Sequence, residues 1–243
     1  MPPSDTAAVV IIGDEILSGR FAEENAVYLI KALHELGTAL RRIEIVPDAL
    51  EEISDAVRRC SERYHHVLTS GGVGPTHDDI TIGAIAHAFG VPVVRSPKLE
   101  QHIRSFFGDH LEERNLRMAE IPEGASLIDT TGSAWPVLCY RNVYILPGVP
   151  AIFRRKFEMI RERFRTRPFH LRRIYCAADE ATIAHHLDQV VADCPAVSIG
   201  SYPRNDSSEY RVIVTLESRD HEAVAAAETA LLGRLATEVV RVE

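Results

Sequence analysis

Three acidic residues and a glycine turn suggest where chemistry could sit in this sequence. The stretch His65–Phe89 reads HHVLTSGGVGPTHDDITIGAIAHAF: a short apolar run, then Gly71, Gly72 and Gly74, then Pro75, Thr76, Asp78 and Asp79, then helical spacing at Ile82, Ile85 and Phe89. Glycines let backbone N–H groups approach a ligand closely, and a helix start adds unpaired donors and a positive dipole end, so this order suits a phosphate. Carboxylates at such a place repel a bare phosphate, and their useful work would be to hold a divalent cation beside it. The plainer reading is that an Asp before a helix caps it, and the local pattern alone leaves the two readings level.

Other strand ends carry similar punctuation. The β-branched run Ala8–Ile12 suits a strand buried on both faces and runs into Gly13-Asp14-Glu15-Ile16-Leu17-Ser18-Gly19. A helix is expected over about Ala22–Leu36, stopped by Gly37. The strand around Arg42–Val46 ends in Pro47-Asp48, where Asp48 either caps the next helix, about Leu50–Arg63, or joins a site. Further on, Pro97 to about Ala119 reads as mostly helical, Trp135–Leu146 as a hairpin turning at Arg141-Asn142, and Leu146-Pro147-Gly148-Val149-Pro150 as one more turn before a helix over Ala151–Arg165. Alternating strands and helices predict a doubly wound α/β domain over residues 1–168 with a mostly parallel sheet, whose ligands belong at the carboxyl ends of the strands. Residues 169–243 then read βαββαβ, a small ferredoxin-like or KH-like α+β domain, and the absence of a GxxG loop argues against nucleic-acid binding of the KH kind.

Composition narrows the classes. The chain has 243 residues and a net charge of −8, which argues against a general nucleic-acid binder while leaving room for a small anionic ligand at a local site. No apolar run approaches the roughly 18 residues of a membrane span. The first residues lack the basic region of a signal peptide, and Cys60, Cys139, Cys176 and Cys194 are scattered without a CxxC; the expectation is a cytoplasmic chain with reduced thiols. Nine cations between Arg154 and Arg173 gather near the domain boundary, and the favoured reading is a solvated surface rather than a phosphate patch.

GDEILSG, VPD, GGVGPTHDDIT and LPGVP, in this order, make the chain resemble the molybdopterin-binding superfamily that includes MogA, MoaB and CinA, nearest to the N-terminal part of CinA and stand-alone CinA-like proteins. The resemblance extends through NLRMAEIPEGASLI (Asn115–Ile128) and the small C-terminal domain. It implies a MogA-like fold, a homodimer, and chemistry at a phosphoanhydride: hydrolysis of a dinucleotide such as ADP-ribose or FAD with Mg²⁺, Mn²⁺ or Co²⁺, or adenylylation of molybdopterin, or binding of a pterin or nucleotide without turnover. By position, Asp48 and Asp79 are the catalytic candidates, with Asp78 beside them as metal ligands. Gly71, Gly72, Gly74, Pro75 and Thr76 would cradle phosphates; Gly13, Asp14, Glu15, Pro147 and Gly148 would line the pocket, with Ser133 in a Gly-Ser/Thr-Ala-Pro-Gly loop. The chain departs from that pattern at Trp135, where small residues are usual, and at Glu23-Glu24-Asn25, where Asn25 alone is kept.

Overall fold

The computed structural model describes residues 5–129, 135–204, 206 and 209–243. The chain divides into two compact units, Met1–Thr166 and Arg167–Glu243.

In the first unit, β1 (Thr6–Ile12), β2 (Ala39–Val46) and β3 (His66–Ser70) alternate with helices α1 (Asp14–Leu17), α2 (Asn25–Glu35) and α3 (Leu50–Arg63). Then come α4 (Thr81–Phe89), β4 (Val93–Arg95), α5 (Pro97–Phe107), β5 (Glu120–Pro122), β6 (Ser126–Ile128), β7 (Val137–Tyr140), β8 (Val143–Leu146) and α6 (Pro150–Ile160). The main sheet has the order β2-β1-β3-β8-β7-β6. Pairings from β2 to β8 are parallel, whereas β7 and β6 add an antiparallel margin. Every residue of β1 is buried, as its unbroken apolar run requires of a strand covered on both faces. Leu29, Leu33, Phe153 and Phe157 pack on one face, and Ile53, Val57, Ala84 and Ile85 on the other. The α/β fold with a mostly parallel sheet is therefore as the alternation of elements predicts.

Three helices differ from the sequence reading, α6 among them, since it passes into a 3₁₀ turn over Arg161–Phe164 after Ile160. The first begins at Asn25 rather than about Ala22, because the Glu23 carboxylate accepts the backbone N–H groups of Asn25 (3.0 Å) and Ala26 (2.8 Å) and starts the helix there. The stretch from Pro97 is a helix only to Phe107. Gly108, at φ 51°, ends it, and two 3₁₀ segments, Gly108–His110 and Glu113–Ala119, carry the chain on. β4 and β5 form a separate antiparallel pair. The hairpin of β7 and β8 turns at Arg141 and Asn142 as expected, with Arg141 in the left-handed region at φ 52°.

The second unit runs β9 (His170–Cys176), α7 (Glu180–Asp193), β10 (Ser198–Pro203), β11 (Val212–Ser218), α8 (His221–Leu235) and β12 (Val239–Val242). Its sheet, β10-β11-β9-β12, is antiparallel throughout and has the strand order of the ferredoxin-like fold, which decides between the two topologies left open by the sequence. Ile174, Val214, Leu231 and Ile183 lie in its core.

Candidate functional site

The order β2-β1-β3-β8 sets four turns side by side at the carboxyl ends of parallel strands: Pro47-Asp48, Gly13–Glu15, Gly71–Asp79 and Pro147-Gly148. That edge of an open α/β sheet is where ligands bind. A cleft of about 1610 Å³ opens there. Glu15, Gly71, Gly72, Gly74, Asp78, Asp79, Pro147 and Gly148 line it; Gly13, Asp14, Asp48, Pro75 and Thr76 lie outside its lining. Ser133 falls outside the described residues.

Two glycines are fixed by space as well as by conformation. Gly71 has φ +110° and Gly72 φ +64°; a Cβ on the first would overlap the Ile12 carbonyl oxygen, and one on the second the Thr81 hydroxyl. A Cβ on Gly148 would stand 3.3 Å from the Gly71 Cα, so the β3 and β8 turns meet backbone to backbone. Thr81, fully buried, donates its hydroxyl to the Gly71 carbonyl, and its N–H bonds the Gly72 carbonyl at 3.0 Å. The N–H groups of Gly72, Val73 and Gly148 have no acceptor among the described residues.

The carboxylates do different things. The Asp48 carboxylate accepts the Asp14 N–H at 2.9 Å and so joins the ends of β2 and β1. Burial pushes the Asp48 carboxyl up; that hydrogen bond opposes the rise, and the nearby Glu15, Asp14 and Asp78 charges add to it. Exposed Asp78 is held below the usual carboxylate range by the hydrogen-bonding groups of its own turn, with the neighbouring His77 adding to the effect. Asp79 turns back into its own loop. Its Oδ1 accepts the Gly74 N–H (2.6 Å), and its Oδ2 accepts the Thr76 N–H (2.8 Å) and hydroxyl. Two donors assigned from sequence to a phosphate are thus engaged by a side chain assigned to a metal. Among the described residues, no group of three or more His, Cys, Asp or Glu side chains is arranged to hold a metal ion, so Asp48, Asp78 and Asp79 do not form one ligand set.

The contacts of several cleft residues escaped the sequence reading. Buried Asn25 donates to the Ser70 hydroxyl (2.9 Å) and to the Gly148 carbonyl (2.8 Å), tying α2 to both neighbouring strand ends. Arg117 donates to the Thr76 carbonyl at 2.8 Å and steadies the glycine loop from the 3₁₀ segment before β5. Lys156 lines the cleft and donates to the Pro136 (2.7 Å) and Trp135 (3.3 Å) carbonyls; burial, with Arg155 adjoining, brings it down to about 8. Spacing gave no hint of these partners, which lie up to 123 residues apart. Four of the nine cations in the basic cluster are in ion pairs: Arg154 with Glu24, Arg161 with Glu35, Arg165 with Glu162 and Arg172 with Glu228. Exposed pairs of this kind suit a solvated surface.

Comparison with known proteins places this geometry. Residues 8–166 match the family described as "Probable molybdopterin binding domain". The chain belongs to that molybdopterin-binding family. Residues 168–243 match "FAD synthase, middle domain". The chain is similar to the crystal structure of the protein CinA with unknown function from Thermoplasma acidophilum, with a TM-score of 0.61 at 31% identity, covering 66% of this chain and 98% of that one. A protein of Archaeoglobus fulgidus is 35% identical over 89% of this chain and 92% of its own length. A "Probable FAD synthase" of Caenorhabditis briggsae is 32% identical over 99% of this chain but only 52% of its own. The chain thus spans about half the length of that nematode relative. Among the described residues, no helix is long and apolar enough to cross a membrane.

Proposed function

We propose that the molybdopterin-binding unit hydrolyses the phosphoanhydride of a dinucleotide, with FAD as the first substrate to test and ADP-ribose as the second. The observation that carries this reading is the set of backbone N–H groups at Gly72, Val73 and Gly148, left without acceptors among the described residues where two glycine turns open on a large cleft. Such donors fit phosphate oxygens without needing a side chain. The choice of FAD is supported by the names of the nematode relatives and by the match of the second unit to a FAD synthase domain.

Hydrolysis adds water across the P–O–P link of FAD and releases FMN and AMP. The turn amides bind and orient the anhydride, and Asp79 keeps the loop in the shape that presents them. Asp48 stands near Glu15 just outside the cleft lining, and as general base it would take the proton of the attacking water through one bridging water. Magnesium-type ions are bound through one or two carboxylates completed by water and substrate phosphates, so this reading asks for no closed cage of side chains. Glu15 and Asp78 would hold such an ion, which when bound would neutralise charge developing on the phosphate oxygens. Mg²⁺, Mn²⁺ and Co²⁺ all suit this donor set.

The test is chromatographic detection of AMP from FAD, ADP-ribose and NAD with each metal. AMP formed only with metal, and lost in Asp48→Asn, is the expected result; no AMP from any pair overturns the reading. The family description favours a second reading, adenylyl transfer to a pterin, which would instead release diphosphate from ATP. The proposed assembly is a homodimer, checked by light scattering.

A further inference from the structure

One wall of the cleft is aromatic, and phosphate chemistry does not use it. His102 and Phe106, one turn apart on α5, converge on Trp135, with ring centroids 5.1 and 6.0 Å from it and both pairs edge-to-face; Phe107 flanks Phe106 at 5.1 Å. The inner members are anchored. Phe107 and Trp135 pack on the small core of Leu99, Ile103 and Leu116, and the Trp135 carbonyl accepts from Lys156. Phe106 is different: it is 71% exposed, yet it lines the same cleft as Gly72 and Gly148. A large apolar ring left in water and steadied by two others is the arrangement of a stacking platform, because edge-to-face neighbours fix a ring while leaving a face open.

We propose that Phe106 and Trp135 form the subsite that stacks on the isoalloxazine ring of a flavin, held while the anhydride lies at the glycine turns. This rests on the dinucleotide reading of the cleft and gives it a specificity determinant, since ADP-ribose has no such ring. Adenine also has a flat face; the isoalloxazine is favoured because it is the larger ring and carries an apolar dimethylbenzene end, which suits a wall where Leu99, Met118 and Leu127 stand beside His102. Lys156 is a positioning residue here, holding the backbone of Trp135.

The test uses riboflavin, which carries the ring and no phosphate, so its outcome is independent of any hydrolysis. Riboflavin titrated into the full chain should lose fluorescence as its ring stacks on Trp135. In Phe106→Ala, whose exposed side chain is dispensable for folding, affinity should fall roughly tenfold. Trp135→Leu should abolish the quenching, and AMP affinity should be unchanged in both variants. Riboflavin that does not bind, or that binds and is quenched equally in both variants, overturns the proposal. An equal loss of AMP affinity overturns it too, by putting adenine on the wall. AMP release from FAD together with riboflavin indifference would sink this subsite alone; ring binding without AMP release would sink the hydrolase reading alone.

Discussion

Removing the Asp79 side chain should unfasten the turn between β3 and α4 without unfolding the unit. Its two oxygens take the N–H groups of Gly74 and Thr76 and the Thr76 hydroxyl, all within six residues of chain. Hydrogen bonds to a charged acceptor contribute about 1.5–3 kcal/mol each when buried, but this carboxylate is half-exposed and solvent competes for it, so about 2 kcal/mol for the set is a fair expectation. If that free energy holds the turn closed, Asp79→Ala should speed amide hydrogen exchange at positions 74 and 76 roughly 30-fold, leaving the β1 and β3 amides untouched. Asp79→Asn, which keeps one acceptor oxygen, should fall between. Exchange followed by NMR or by mass spectrometry of short peptides reads the effect directly. Unchanged exchange at Gly74 and Thr76 in Asp79→Ala would refute the assignment and return Asp79 to the group of candidate metal ligands.

Three further outcomes follow from the geometry. Gly71→Ala should destabilise the first unit by about 3 kcal/mol or more in chemical denaturation, since its positive φ and the Ile12 carbonyl both oppose a Cβ. Asn25→Leu should cost about 1–3 kcal/mol in the same measurement, because the Ser70 hydroxyl and the Gly148 carbonyl both lose their donor. His66, buried against Tyr144 and Phe164, is lowered by burial to about 4 from 6.5. The unfolded chain therefore takes up this proton first, so stability present above the unfolded value is lost as pH falls from about 6.5 towards 4, by about 3 kcal/mol. The difference between the pH profiles of the parent and His66→Phe isolates that loss; parallel profiles would remove it.

The strand-end turns were legible because Gly, Pro and Asp stand where apolar runs stop, and the buried β1 run could belong only to a covered strand. What one side chain does within a turn was not. Asp79 looks alike in sequence whether it reaches for a cation or for the amides of its own loop, and only its distances to Gly74 and Thr76 separate the two. Asn25 was noticeable as the retained member of its triplet, but its partners Ser70 and Gly148 arrive from distant strands. The aromatic wall was hidden for the same reason: His102, Phe106 and Trp135 come from two segments and share no period. Gly108 ended α5 early through a backbone conformation that helical spacing on either side concealed.

The capping of α2 by Glu23 bears on how a ligand could lie. A helix of this length would ordinarily offer its first amides to an incoming anion, and here the chain's own carboxylate already occupies them, on a residue that also lines the cleft. Because Asn25 bonds Ser70 and the Gly148 carbonyl, that capped helix start lies at the glycine turns, so an anhydride there would be held by the turn amides without the help of the helix.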